Sequence, residues 1–308
     1  DFKEDLSVFD NNEKGIYFVT EVAPLPEKDT IEGIVIDGYL RNASIYQDKD
    51  YDNIPDDSEL LGKTDILGNF DIDNVVFDDS FSNLGAPILM AIGGMDTSSL
   101  KPNIITLKTY PEKDKDVILS IITTLVVKLA KDPERPDINT LDKAKRAFAR
   151  GWSVDKETLF DDPIKTFNSR VFEIMNYLTL YVSLTSVMET STQNRSVIIE
   201  DTLLSLQRIL VKGVSNENFL FDLFTELKNI NNKIIFDHTI LTNVTNIKLK
   251  LIELYQEGLS DDFDVDAKRL VQVNNEFLDY VKKEMVKPFI INFLTNVDLD
   301  HIFIAHKI

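Results

Sequence analysis

Between Asp48 and Glu59 the chain reads Asp-Lys-Asp-Tyr-Asp-Asn-Ile-Pro-Asp-Asp-Ser-Glu. With Asp48 as position 1, carboxylates fall at positions 1, 3, 5, 9 and 12: Asp48, Asp50, Asp52, Asp56 and Glu59. Ile54 stands at position 7, where a backbone carbonyl is wanted. This is the spacing of a 12-residue calcium loop. Ca²⁺ is a hard ion that takes six to eight oxygens, and alternate residues of a tight loop can point their side chains inward. Glu59 is long enough to close the shell with both oxygens. Position 6 needs left-handed backbone, and Asn53 is the residue most tolerant of it after glycine. Without a cation the five carboxylates would repel one another. Calcium is therefore expected to order the loop and to stabilise the chain by mass action. The competing reading is an acidic surface loop surrounded by water.

Other residues offer weaker chemistry. Asp261-Asp262-Phe263-Asp264-Val265-Asp266 could hold a second cation, but helix amino-terminal capping accounts for them. Asp71, Asp73, Asp78 and Asp79 lack a closing Glu at the right spacing. His301 and His306 are five apart, and His238 is distant, so no pair sits on one helix face. Trp152, the lone tryptophan, follows Gly151 at an expected helix end and reads as interhelical packing. The sequons at Asn42, Asn194 and Asn243 are of a kind chance supplies in an Asn-rich chain. Neither a nucleophile elbow nor a phosphate or dinucleotide loop is present. A carboxylate pair of glycosidase type stays open, as in any acidic protein.

The elements around the loop read as strands. Ile31 to Ile36 is β-branched, Ala43-Ser44-Ile45-Tyr46 alternates, and Gly68-Asn69-Phe70-Asp71-Ile72 follows a turn at Asp65 to Gly68. Val75-Val76-Phe77 and, earlier, Gly15 to Val19 are further short apolar runs. Leu60-Leu61-Gly62-Lys63-Thr64 follows the loop directly, so the site is expected to be strand–loop–strand rather than helix–loop–helix. From Val117 the apolar residues recur at helical steps. The run Val117 to Ala130 is too short for a bilayer and reads as a buried core helix. Asp132 to Pro136 breaks it, Thr140 can cap the next helix, and Asp162-Pro163 signals another start. Further helices are expected over 195–212, 217–231, 235–257, 266–286 and 289–305, with no repeat of solenoid length.

Charge divides the chain in the same way. Of 308 residues with a net charge of −19, the first 100 hold 22 acidic and 6 basic residues, and the remainder holds 30 and 27. Such an acidic surface repels phosphate backbones and anionic membranes, which excludes nucleic acid as an expected partner. The absence of cysteine removes disulfides, thiolate nucleophiles and zinc–cysteine sites. No secretory signal is visible and the chain opens on Asp1, so a natural start upstream is expected.

The residues Ile36 to Tyr46, the acidic loop, and Gly62 to Phe70 together resemble a module of large bacterial surface and secreted proteins. These are adhesin-like and RTX-type proteins carrying a small β-sandwich of carboxypeptidase-regulatory or Sdr-B-like type. Gly93-Gly94-Met95-Asp96 and Ser120 to Val126 are similar to a turn and a helix that often follow in that family. The likeness covers 31–130 and is most specific over 36–70. Asn42, Asn53 and Ser58 stand where the family has glycine, which bears on loop geometry and affinity. The resemblance implies an extracellular or cell-surface setting.

These observations predict an α+β chain: an amino-terminal extension over 1–30, a small calcium-binding β-sandwich over 31–96 and a mostly helical domain over 97–308. The expected metal ligands are Asp48, Asp50, Asp52, Ile54, Asp56 and Glu59, the expected cofactor is Ca²⁺, and no catalytic residue is assigned. The expected function is a non-enzymatic, calcium-stabilised structural or adhesive module with a protein or surface-glycan partner, open to homo-oligomerisation and without a membrane span. The alternatives are a virion or surface-assembly structural protein and a polysaccharide-acting enzyme with an accessory β-domain.

Overall fold

The computed structural model describes residues 30–77, 87–97, 100–112, 115–186, 195–212 and 219–231. Within them nine strands precede five α-helices. The strands are β1 (Ile31–Ile36), β2 (Leu40–Arg41), β3 (Ser44–Gln47), β4 (Leu60–Lys63), β5 (Asn69–Ile72), β6 (Leu89–Ile92), β7 (Met95–Asp96), β8 (Leu107–Thr109) and β9 (Val117–Ser120). The helices are α1 (Ile121–Ala130), α2 (Leu141–Trp152), α3 (Ser169–Ser186), α4 (Arg195–Lys212) and α5 (Phe219–Ile230). The described chain is thus α+β, as its sequence texture implies.

Strand β1 is the centre of a three-stranded sheet in the order β5-β1-β9, antiparallel to β5 and parallel to β9. Its β-branched residues suit that place, because a central strand packs on both faces. Gly33 is required there: a Cβ would lie 2.3 Å from the Phe70 ring and 2.4 Å from the Val117 carbonyl. A four-stranded antiparallel sheet runs β4-β3-β6-β8, and β2 pairs with β7. Val35, Ile45, Phe70, Leu107 and Leu119 from the sheets share one core with Leu125, Phe148, Leu178, Leu203 and Phe224 from the helices.

The run Val117 to Ala130 is not one helix. Its first four residues are β9, fully buried beside β1, and only then does α1 begin. A buried parallel strand and a buried helix are both continuously apolar, so periodicity cannot separate them. Ser120 makes the switch. Its backbone is extended, its side chain accepts from the Thr123 N–H at 3.2 Å, and Thr123 Oγ1 accepts from the Ser120 N–H at 2.9 Å. This reciprocal cap satisfies two donors that a helix start leaves open. Thr123 and Thr124 also bind the backbone of Lys108, fastening α1 to β8. Both β8 and β9 therefore come from beyond Asp96, within the span expected to be helical, and join the sheets through β6 and β1.

Other start signals act as expected or nearly so. Thr140 caps α2 through the Lys143 N–H. Asp162 accepts from the N–H groups of Ile164 and Lys165, but it caps only a turn. Phe167 has φ 54°, which interrupts the helical path, and α3 starts after it with Asn168 accepting from Val171 N–H. The residues Val75 to Phe77 form no strand. Helices α4 and α5 fall where expected. No helix among the described residues is long and apolar enough to cross a membrane. The expected strand at 15–19, the helices after 235, the acidic stretch 261–266, Asp78, Asp79, all three histidines and the sequons at Asn194 and Asn243 lie outside the described residues.

Candidate metal centre

Strands β3 and β4 form an antiparallel hairpin, and residues 48–59 are its connection. The Gln47 N–H donates to the Glu59 carbonyl at 3.0 Å, closing the loop at its base. The Asp48 N–H donates to the Ile88 carbonyl just before β6, fixing position 1 in the sheet. Asn53 has φ 62°, the left-handed backbone expected at position 6, and Asn42 at φ 57° likewise adopts a conformation that glycine would take freely. Tyr51 is also left-handed at φ 65°, a feature its residue type does not announce.

The fold brings three of the expected ligands together. One carboxylate oxygen from each of Asp48, Asp50 and Asp52 lies within 4.8 Å of the other two. Asp48 is completely buried, whereas Asp50 and Asp52 are exposed. Internal hydrogen bonds shape the cluster: Asn53 N–H to Asp48 Oδ1 at 3.3 Å, Asp52 N–H to Asp50 Oδ1 at 3.2 Å and Ile54 N–H to Asp52 Oδ1 at 2.6 Å. Asp48 Oδ2 is different. It is buried and accepts no hydrogen bond. A buried carboxylate oxygen without a partner is costly, and a bound cation is one partner that would remove the cost.

The other expected ligands stand apart from this trio. Asp56 is exposed, and Oδ1 accepts from both the N–H and the Oγ of Ser58 at 2.7 and 2.6 Å. The Ser58 hydroxyl, then its N–H, hold the Asp56 carboxyl below the usual carboxylate range. Glu59 is buried, with Oε1 accepting from Lys49 N–H at 2.6 Å and Oε2 from Asp56 N–H at 3.4 Å. It thus spans the loop from position 2 to position 9. Ile54 is exposed and contributes its N–H to the Asp52 turn. Among the described residues, Asp71 and Asp73 form no comparable group, and Asp73 accepts from Thr30 Oγ1.

The donor set fits a hard cation. It is all oxygen and anionic, and one of its three carboxylates has a buried oxygen without a hydrogen bond. Nothing in it suits a soft metal.

Several surrounding residues escape a reading of the sequence. Gln47 is buried and clasps Val76, donating to its carbonyl at 2.7 Å and accepting from its N–H at 2.9 Å. Thr64 accepts from Ala43 N–H at 2.8 Å and donates to the Leu40 carbonyl at 2.6 Å, inside the core. Asp37 accepts from Thr179 Oγ1 of α3 at 2.6 Å, and Tyr39 donates to Asp162 at 3.0 Å. Burial pushes the Asp37 carboxyl up to about 6; the Thr179 hydroxyl opposes this, and the Asp96 charge adds to it.

A cleft of about 1160 Å³ opens elsewhere, between the β5-β1-β9 sheet and residues 157–166. Glu32 and Asp71 lie directly opposite each other across β1 and β5 on its wall. Glu112 on its rim is bound by Lys115 and by Lys145, the latter at 3.2 Å. Burial alone would raise the Glu112 carboxyl, but the Lys115 hydrogen bond and the Lys145 charge outweigh it and hold the group ionised. A carboxylate held in this way is unsuited to act as a general acid.

Compared with known protein families, curated proteins and solved structures, the chain matches none.

Proposed function

We propose that residues 48–59 bind Ca²⁺ and that the protein is a non-enzymatic, calcium-clamped structural or adhesive module working outside the cell. The observation that carries the reading is the buried Asp48 Oδ2, unpartnered beside the carboxylates of Asp50 and Asp52. Calcium is favoured over magnesium because a hairpin rich in carboxylates offers many adjustable oxygens, whereas Mg²⁺ demands near-ideal octahedral geometry and keeps its waters. In this reading Asp48, Asp50 and Asp52 hold the ion first. Asp56 and Glu59 complete the shell by exchanging their present hydrogen bonds for the metal, and the Ile54 carbonyl adds a neutral oxygen.

The ion would supply charge neutralisation and cross-linking. It joins the end of β3 to the start of β4, in a chain with no cysteine to do so covalently. A hairpin flanked by strands has no helix pair to swing open, so the site suits a clamp rather than a switch. Millimolar calcium outside cells would keep even a weak clamp filled. In this reading the sheets are the rigid support of a surface-protein module, and the exposed carboxylates of Asp50, Asp52 and Asp56 are the face offered to a protein or glycan partner. Assembly into a virion or surface array is the alternative use of the same clamp.

Thermal unfolding in calcium against chelator tests this, with Asp48→Ala and Glu59→Ala beside the wild type. A calcium-dependent rise in midpoint that both variants lose is expected. An unchanged wild-type midpoint makes residues 48–59 a solvated loop.

A further inference from the structure

A set of lysines stands behind the acidic loop. Lys108 on β8 is only 7% exposed, and its Nζ donates to Asn53 Oδ1 at 3.3 Å, reaching the position-6 turn from inside the protein. Lys131 caps the end of α1, with its Nζ 5.8 Å from the centre of the Tyr110 ring. Lys128 on the last turn of α1 is paired with Glu200 of α4 at 2.6 Å. The charges facing Lys108 are Asp48 and Glu200, of opposite sign, and Lys128 and Lys131, of like sign. Asp48 acts on Lys131 as well. Among the described residues, neither Lys108 nor Lys131 has a carboxylate within ion-pair distance.

In a chain of net charge −19, a buried lysine bonded to the position-6 turn, five residues from the buried Asp48, places a cation beside the acidic loop. With the loop empty, the lysines offset the charge of Asp48, whose Oδ2 has no hydrogen bond. With a divalent ion in place, the same lysines repel it. The repulsion scales with the product of the charges and is stronger in a partly buried setting than in water. Bulk salt screens it little.

We propose that Lys108, seconded by Lys131, is an internal counter-cation that sets the calcium affinity of the loop. It keeps the empty loop folded and weakens the filled one. Five carboxylates in such a loop could otherwise bind far more tightly than a calcium-rich exterior requires. This inference rests on the calcium reading of residues 48–59.

The test is calorimetric titration of CaCl₂ into the full chain after chelator stripping, for the wild type, Lys108→Met, Lys131→Met and Asn53→Gly. Lys108→Met is expected to bind calcium roughly tenfold more tightly, the scale of a divalent ion relieved of a nearby unit charge. Lys131→Met shifts the same way by less. Asn53→Gly keeps the left-handed turn and the Lys108 charge but loses the hydrogen bond, so its affinity stays within about threefold of the wild type. The gain in Lys108→Met persists at raised KCl, as expected of a buried charge. Affinity unchanged or weakened in both lysine variants overturns the proposal, as does an equal loss in Lys108→Met and Asn53→Gly, which would make the lysine a positioning group only. If Lys108→Met does not fold, Lys131→Met decides alone: a gain supports the counter-cation and no change overturns it. Absence of binding by the wild type overturns the calcium reading itself, and the inference with it.

Discussion

Strand β4 has an acidic connection at each end, and the two behave differently. The turn Asp65 to Asn69, leading to β5, completes itself. Asp65 Oδ1 accepts from the N–H groups of Leu67 and Asn69, both at 2.8 Å, and the Asn69 side chain adds contacts to both carboxylate oxygens. Burial raises the Asp65 carboxyl, but the N–H groups of Asn69 and Leu67, with the Asn69 side chain and the Gly68 N–H, together outweigh it and hold the group low. The connection 48–59, leading from β3, has more internal hydrogen bonds yet leaves Asp48 Oδ2 buried and unpaired. Acidic residues are therefore not enough to mark a metal loop. What sets residues 48–59 apart is a buried carboxylate whose second oxygen the protein itself does not satisfy, the feature on which the proposed metal reading rests.

The largest expected effect separates the two loops outright. At calcium a hundredfold above its dissociation constant, the wild type gains about 2.7 kcal/mol by linkage, and Asp48→Ala gains none. Asp65→Ala keeps the whole calcium increment. Chemical denaturation in calcium and in chelator measures both.

Next in size is Asp37, an acid that burial perturbs although the Thr179 hydroxyl binds it, and one outside the Asp48-Asp50-Asp52 group. Its carboxyl is raised from 3.8 to about 6. The folded state therefore holds a proton that the unfolded state releases, and stability falls as pH rises from about 3.8 through about 6. Asp37→Asn keeps an acceptor for Thr179 and removes the charge. It should be more stable than the wild type at pH 7 by about 2 kcal/mol, with the gap closing below pH 4. Urea unfolding across that pH range checks the sign; a gap that widens on acidification contradicts it.

Smaller effects sharpen the contrast further. Asp65→Ala should cost about 1 kcal/mol, like the loss of a local cap, equally with and without calcium. Asn53→Ala should cost about 1 kcal/mol through its left-handed backbone. The same variant should weaken calcium binding, because that turn sets the spacing of Asp48 and Asp52. A calcium titration of Asn53→Ala beside Asp65→Ala reads both effects.

Local signals made much of this legible. The β-branched run Ile31 to Ile36, the cap at Thr140 and the bounds of α4 each depend on neighbouring residues alone. The position-6 turn at Asn53 was readable for the same reason. The strand-to-helix switch at Ser120 was not, since β9 and α1 are equally apolar and only the pairing of β9 with β1 divides them. Strand β8 is three residues long and centred on a lysine, so nothing in its composition announced a buried strand. At the site, the carboxylate spacing was visible but the inequality of its members was not. Asp48 is buried while Asp50 and Asp52 are exposed because β3 delivers position 1 against Ile88, a contact distant in sequence. The lysines behind the loop come from β8 and α1 and have no local signature at all.

The most direct test of the central claim is a count of bound calcium by equilibrium dialysis of the full chain, with Asp48→Asn beside it. The account predicts one ion held by residues 48–59 in the wild type and lost in Asp48→Asn, which keeps the shape of the side chain and removes its charge. Calcium bound equally by the two proteins, or by neither, would contradict it.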